Sequence, residues 1–332
     1  SGPLTRRLFD DEPLLLASFL LALAVYATSH LTRGMLSGNG QFRPYGALLA
    51  WEGGARVVAC GVLFVSGFDT AGPYGLLLPA APALAVAVIY ARNHRGLMTP
   101  GPVAPWGELS SALGWLLAGS VLAQAFVNAG PLAVKLLASE AEKAVAGRFL
   151  AGLVIARVPL FLFQAVQASL LPRLAGLAAA GRAADFRTGL RRLVMVVAVI
   201  AVAATAGALA IGPFAVELLF GSEFSLGRRD LGLLAAASGA YMLALALAQA
   251  LIALSGHARA ALGWAIAVGA FAVVTAIGSD LLLRVETGLL AGSLVGAVAM
   301  GALLALRMRA GVPDTAELLV EALSPEREII EP

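Results

Sequence analysis

Nine long apolar stretches divide this chain, and nothing else in it limits the fold so strongly. They run at about 13–31, 45–65, 71–90, 110–137, 144–171, 190–211, 231–254, 260–277 and 287–306. A helix needs ~20 mostly apolar residues to cross the ~30 Å hydrocarbon core of a bilayer. The 332 residues are 60% hydrophobic and only 13% charged, with mean hydropathy +0.87. Soluble domains carry about 25% charge, so the solvent of this surface is lipid. The expected fold is all-α, a polytopic membrane helix bundle with about nine transmembrane helices.

Orientation follows from the basic residues, which gather in cytoplasmic loops. With the loop after the first span placed in the cytoplasm, the cytoplasmic segments collect Arg33, Arg43, Arg92, Arg95, Arg173, Arg182, Arg187, Arg191, Arg192, Arg259, Arg307, Arg309 and Arg327. The outer segments collect Arg6, Arg7, Lys135, Lys143, Arg228, Arg229 and Arg284, together with most of the acids, Glu286 among them. The link at 172–189 has apolar residues at helical spacing with arginines between, and reads as an amphipathic helix on anionic lipid. The acidic, proline-bounded 311–332 reads as a cytoplasmic tail.

The chain also repeats itself. Gly2–Pro3, then Leu8–Phe9, an acidic loop, an apolar run and Leu36-Ser37-Gly38 are echoed by Gly212–Pro213, Leu219–Phe220, an acidic loop, an apolar run and Leu254-Ser255-Gly256. Two such copies in one membrane chain point to a transporter of two related halves. About three spans precede the second copy and none precedes the first. The expectation is an N-terminally truncated chain lacking about three helices.

Charges inside spans are costly and mark function by default. Glu52 and Arg56 lie four residues apart on one helix face, with Gly53 and Gly54 between them to admit a ligand or a second backbone. A gated ion pair and a self-neutralising structural pair are both open readings. Arg157 stands mid-span with no acid in its own helix, two residues before Pro159, which bends the helix; Gln164 follows on the same face. Gln124 and Asn128 are one turn apart on the preceding span and either line a cavity or bond between helices. Arg148 reads as a residue snorkelling to the outer surface. Gly288, Gly292 and Gly296 form a close-packing face. The single Cys60 excludes an internal disulfide, and His30, His94 and His257 read as loop residues rather than ligands. Asp10-Asp11-Glu12 invites a metal-diphosphate reading, but no second acidic cluster faces it. No Walker loop, Ser/His/Asp arrangement or dinucleotide fingerprint is present, so neither an enzyme nor bound ATP is expected, and no cofactor.

Three segments carry a resemblance: RGMLSGNGQFRPYG (33–46), ARVPLFLFQAVQASLLPRLAGLAAAG (156–181) and GPFAVELLFGSEF (212–224). They resemble polysaccharide-type flippases of the multidrug/oligosaccharidyl-lipid/polysaccharide exporter superfamily. The resemblance implies a two-lobe exporter of 12–14 helices working by alternating access in the bacterial cytoplasmic membrane. Residues 1–107 would be the last three helices of the first lobe, 108–310 the six-helix second lobe, and 311–332 the tail. The implied cargo is a polyprenyl-diphosphate-linked glycan. Membrane lipids and a polysaccharide polymerase or glycosyltransferases would be partners, and nucleic acid would not. A cationic cavity suits a diphosphate, because arginine pairs bidentately with its oxygens. The cavity candidates are Glu52, Arg56, Gln124, Asn128, Arg157 and Gln164. A cation-coupled small-molecule or drug exporter of the same superfamily and a non-transporting membrane scaffold are the alternatives.

Overall fold

In the computed structural model, residues 12–97, 106–139, 142–161, 163, 174–178 and 180–309 are described. The chain forms two compact units, 1–103 and 104–332. Among the described residues all regular structure is helical, and eight helices are long and apolar enough to cross a membrane. The chain is a multi-pass membrane protein. The reason is elementary: lipid offers no partner for a backbone N–H or C=O, and a helix satisfies both within itself.

The first unit contains α1 (Pro13–Gly38), α2 (Phe42–Val65) and α3 (Ala71–Leu97). α3 packs against both of the others. Its core is Leu36, Leu48, Ala85 and Ile89. α1 and α3 run further than the apolar stretches suggested, so Arg33 on α1 and His94 on α3 lie on helices rather than in loops; His30 also lies within α1, and His257 is the first residue of a later helix.

The second unit contains α4 (Trp106–Leu137), α5 (Lys143–Ala156), α6 (Ala183–Phe220), α7 (Arg228–Ala253), α8 (His257–Ile277) and α9 (Leu281–Arg309). The fifth apolar stretch is described as the short helix α5 and a turn beyond it; most of the remainder, Gln164 included, lies outside the described residues, as does the tail. α7 is the buried centre, packed on α6 and α9, while α8 packs on α9 and α4. The core holds an aromatic group, Phe126, Tyr241, Trp264 and Phe271, with ring centroids 5.5–6.3 Å apart.

The repeat is visible in the packing. In the first unit the third helix lies on the first and second; α9 does the same to α7 and α8. Both Leu-Ser-Gly segments end a helix. Each end is closed by an N–H reaching five residues back, Gln41 to Leu36 at 2.8 Å and Gly256 to Leu251 at 2.7 Å. This closure needs one left-handed residue, supplied by Gly40 (φ 67°) in one copy and Ser255 (φ 57°) in the other. The turn is therefore offset by three residues within the matched sequence.

Two helices depart from expectation. The amphipathic link is not one separate helix. A turn at Gly181 (φ 66°) interrupts it, and everything from Ala183 belongs to α6, which continues unbroken for 38 residues, about 57 Å at 1.5 Å each. α9 begins at Leu281, not near 287, so Arg284 and Glu286 lie on the helix rather than in an outer loop. The glycine face is confirmed. A Cβ at Gly292 would stand 2.6 Å from Phe126 Cε2 and 2.8 Å from the Ala267 carbonyl oxygen.

Candidate functional site

The structure places polar chemistry inside the spans of both units. In the first unit, Glu52 on α2 is 7% exposed. Its four-residue spacing from Arg56 brings both onto the face toward α1. Arg56 Nη2 donates to Glu52 Oε1 at 3.4 Å and to Tyr26 Oη at 2.6 Å. Arg33 Nη2, from α1, donates to the other oxygen, Oε2. One carboxylate thus stands between two guanidinium groups, and the locus carries a net positive charge. The Nε–H donors of Arg33 and Arg56, and the Ser29 hydroxyl, are buried without partners. Buried arginine donors left open this way are costly unless something accepts from them. Gly53 and Gly54 admit no close backbone here, since nothing lies within 4 Å of a Cβ at either.

Sequence reasoning found Glu52 and Arg56 but not Arg33 or Tyr26. The pair announces itself by spacing, while the other two approach across a helix interface, 19 and 30 residues away. On another face of α2, an apolar groove of about 930 Å³ runs along α2 and α3, lined by residues such as Trp51, Val58, Val62 and Leu84. No charged residue lines it.

In the second unit Arg157 follows directly on α5, where the helix breaks ahead of Pro159. Its guanidinium Nη2 donates to the backbone carbonyl of Val127 on α4. That carbonyl is available for a definite reason. Its intrahelical partner would be the N–H of residue 131, and residue 131 is proline. Pro131 of α4 and the break in α5 are therefore joined by one side chain. The cavity beside them is about 20 Å³, room for a single water. Phe126, Leu153, Ser238, Tyr241 and Ser293 are among the residues that line it. Gln124 and Asn128 do not reach it. Both are exposed on α4, and Asn128 Nδ2 donates to the Gln124 carbonyl at 2.9 Å, a local bond within the helix. Arg148 is exposed and donates from Nε to the Glu223 carbonyl at 3.0 Å, tying α5 to the turn after α6.

Glu286 is the second omission of sequence reasoning. It is completely buried, and neither carboxylate oxygen has a hydrogen-bond partner. No cluster of histidine, cysteine and acidic side chains able to hold a metal occurs among the described residues.

No protein-family model matches the chain. Uncharacterized proteins of Mycobacterium bovis and Mycobacterium tuberculosis are 29% identical to it over 314 residues, covering 89% of this chain and 68% of theirs. Among solved structures, the Vibrio cholerae MATE transporter VcmN, as a mutant, matches with a TM-score of 0.70 at 14% identity, over 89% of this chain and 69% of that one. A MATE in its bent conformation matches with a TM-score of 0.70 at 13% identity, over 92% and 70%. The chain spans about two thirds of the length of each. MATE transporters belong to the multidrug/oligosaccharidyl-lipid/polysaccharide superfamily, and it is their fold that this chain shares.

Proposed function

We propose that the chain is part of a membrane transporter, rather than an enzyme, that works by alternating access and carries an anionic, lipid-linked cargo of the polyprenyl-diphosphate glycan class. The observation that carries this reading is the Arg33–Glu52–Arg56 locus. It keeps a net positive charge inside a membrane-spanning unit and has two buried guanidinium N–H donors open. The oxygens of a diphosphate can accept a charge-assisted hydrogen bond from each of these donors. The apolar groove along α2 and α3 in the same unit offers a surface for a polyprenyl chain.

A cation-coupled exporter of small molecules is the second reading. It is favoured by the likeness of the fold to MATE transporters. The two readings separate on binding. The full-length protein in nanodiscs is titrated with undecaprenyl diphosphate and, separately, with a lipophilic cationic dye. The anionic reading expects diphosphate binding that weakens at least about tenfold in Arg33→Gln or Arg56→Gln, since one charge-assisted bond is worth ~1.5–3 kcal/mol. Diphosphate affinity unchanged by both substitutions, or preference for the dye, overturns it.

A further inference from the structure

We propose that Glu286 is a proton-binding site of the second unit, which holds the Asp230 and Asp280 ends of α7 and α9 together while protonated and lets them part when the proton leaves. The inference does not depend on which cargo is carried.

Glu286 lies on the second turn of α9, a membrane-spanning helix, and is 0% exposed. Both of its oxygens are buried and neither is hydrogen-bonded. Val285 (0% exposed), Leu281 (3%) and Leu289 (5%) flank it in the sequence, all buried. A carboxylate in such a place loses its hydration and gains no bond in return, whereas the neutral acid loses far less. The form compatible with this packing is the protonated one.

The surrounding charges support the same conclusion. Those whose fields reach Glu286 are Arg229 and Asp230 on the first turn of α7, and Asp280 just ahead of α9. Arg229 is the one cation of the three, and its guanidinium is already bonded to Asp230 at 2.8 and 2.9 Å. The two acids disfavour a third negative charge. Other charged groups at this end include Arg228 on α7, Arg284 on α9, Glu142 ahead of α5, Lys143 and Arg148 on α5, Glu217 on α6, Glu223 in the turn after it and Lys135 on α4. None of them hydrogen-bonds the Glu286 carboxyl. α8 brings no charged side chain here. Its Thr275 hydroxyl donates to the Arg284 carbonyl instead.

Asp280 is exposed, and the Asp230 side chain is 13% exposed, so the two acids whose fields reach Glu286 both meet solvent. Ionisation of Glu286 requires water, and water reaches it only when the ends of α7 and α9 separate. Loss of the proton and opening of that end are therefore one coupled equilibrium.

Two measurements on the full-length protein in lipid test this, and neither reads transport. The first is an infrared difference spectrum of the protein against Glu286→Gln, recorded across neutral pH. The amide keeps the shape and neutrality of the protonated acid, so this variant is expected to fold. The expected result is the carbonyl stretch of a protonated carboxylic acid, present near neutral pH, absent in Glu286→Gln, and lost as pH rises. A spectrum showing Glu286 already ionised at neutral pH overturns the proposal. The second is amide hydrogen exchange of residues 281–292, taken as the ratio to Glu286→Gln at each pH. Release of one proton per opening predicts that the ratio rises by up to about tenfold per pH unit as the carbonyl band disappears. A ratio that stays flat while the band disappears shows that the proton does not hold the helices together, and overturns the latch.

Discussion

The link between Arg157 and Pro131 makes a quantitative prediction. Pro131 has no N–H, so the Val127 carbonyl depends on Arg157 for its donor. Pro131→Ala restores an N–H at the right place in the ladder, and the carbonyl then has a partner whether or not Arg157 remains. The perturbation is therefore Arg157→Met, made once with Pro131 and once in Pro131→Ala. With proline in place, losing the guanidinium leaves a buried carbonyl unpaired, at a cost of ~1–3 kcal/mol. Hydrogen bonds between membrane helices average ~0.6 and reach ~1.7 kcal/mol. The overlap gives a coupling of about 1–1.7 kcal/mol, with Arg157→Met more harmful when proline is present. The other consequences of Arg157→Met, relief of guanidinium burial and loss of stem packing, occur in both backgrounds and cancel in the double-mutant cycle. Equilibrium unfolding of the four proteins in mixed micelles measures it. A coupling below about 0.3–0.5 kcal/mol, the limit of ordinary additivity, refutes the idea that the proline creates the need for the arginine.

Two further outcomes are expected. Gly292→Ala drives a Cβ against the Ala267 carbonyl, which is backbone and cannot turn aside, so it costs about 1–3 kcal/mol in the same unfolding assay; Gly61→Ala, with nothing within 4 Å, serves as the neutral control. In the turn before α5, the Ser139 hydroxyl (2.6 Å) and N–H (2.9 Å) both donate to Glu142 and hold its carboxyl below the ordinary carboxylate range. A value lowered by folding means that the turn is supported above the unfolded value of ~4.3 and loses that support as pH falls through the lowered one. Exchange protection at the Ser139 amide should therefore decay as pH falls below about 4, and lose this pH dependence in Glu142→Gln.

The positions of the helices were legible because lipid enforces one solution, and long apolar runs state it openly. Glu52 and Arg56 were legible because their partnership is written in a spacing of four. Arg33 was assigned to a loop because the apolar run ends just before it, yet the helix continues through Gly38 and carries it to Glu52. Glu286 was assigned to an outer loop by the same logic, since reading hydropathy ends a span at a charge, and only the packing of α9 shows that the charge is inside. Arg157 and Pro159 stand out in the sequence by themselves. What joins Pro131 to Arg157 is a backbone oxygen, which no pattern of side chains records.

The length of α6 has a mechanical consequence. About 57 Å of unbroken helix exceeds the ~40–45 Å of a bilayer with its headgroups, even at the usual ~20° tilt. Some two turns therefore stand clear of the membrane. The first part of the helix carries Asp185, Arg187, Arg191 and Arg192. Dragging its three guanidinium groups to the bilayer centre costs roughly 8–10 kcal/mol, at ~2.5–3.5 each. The helix acts as a keel, allowing the second unit to rock in the membrane while resisting any rise or fall through it.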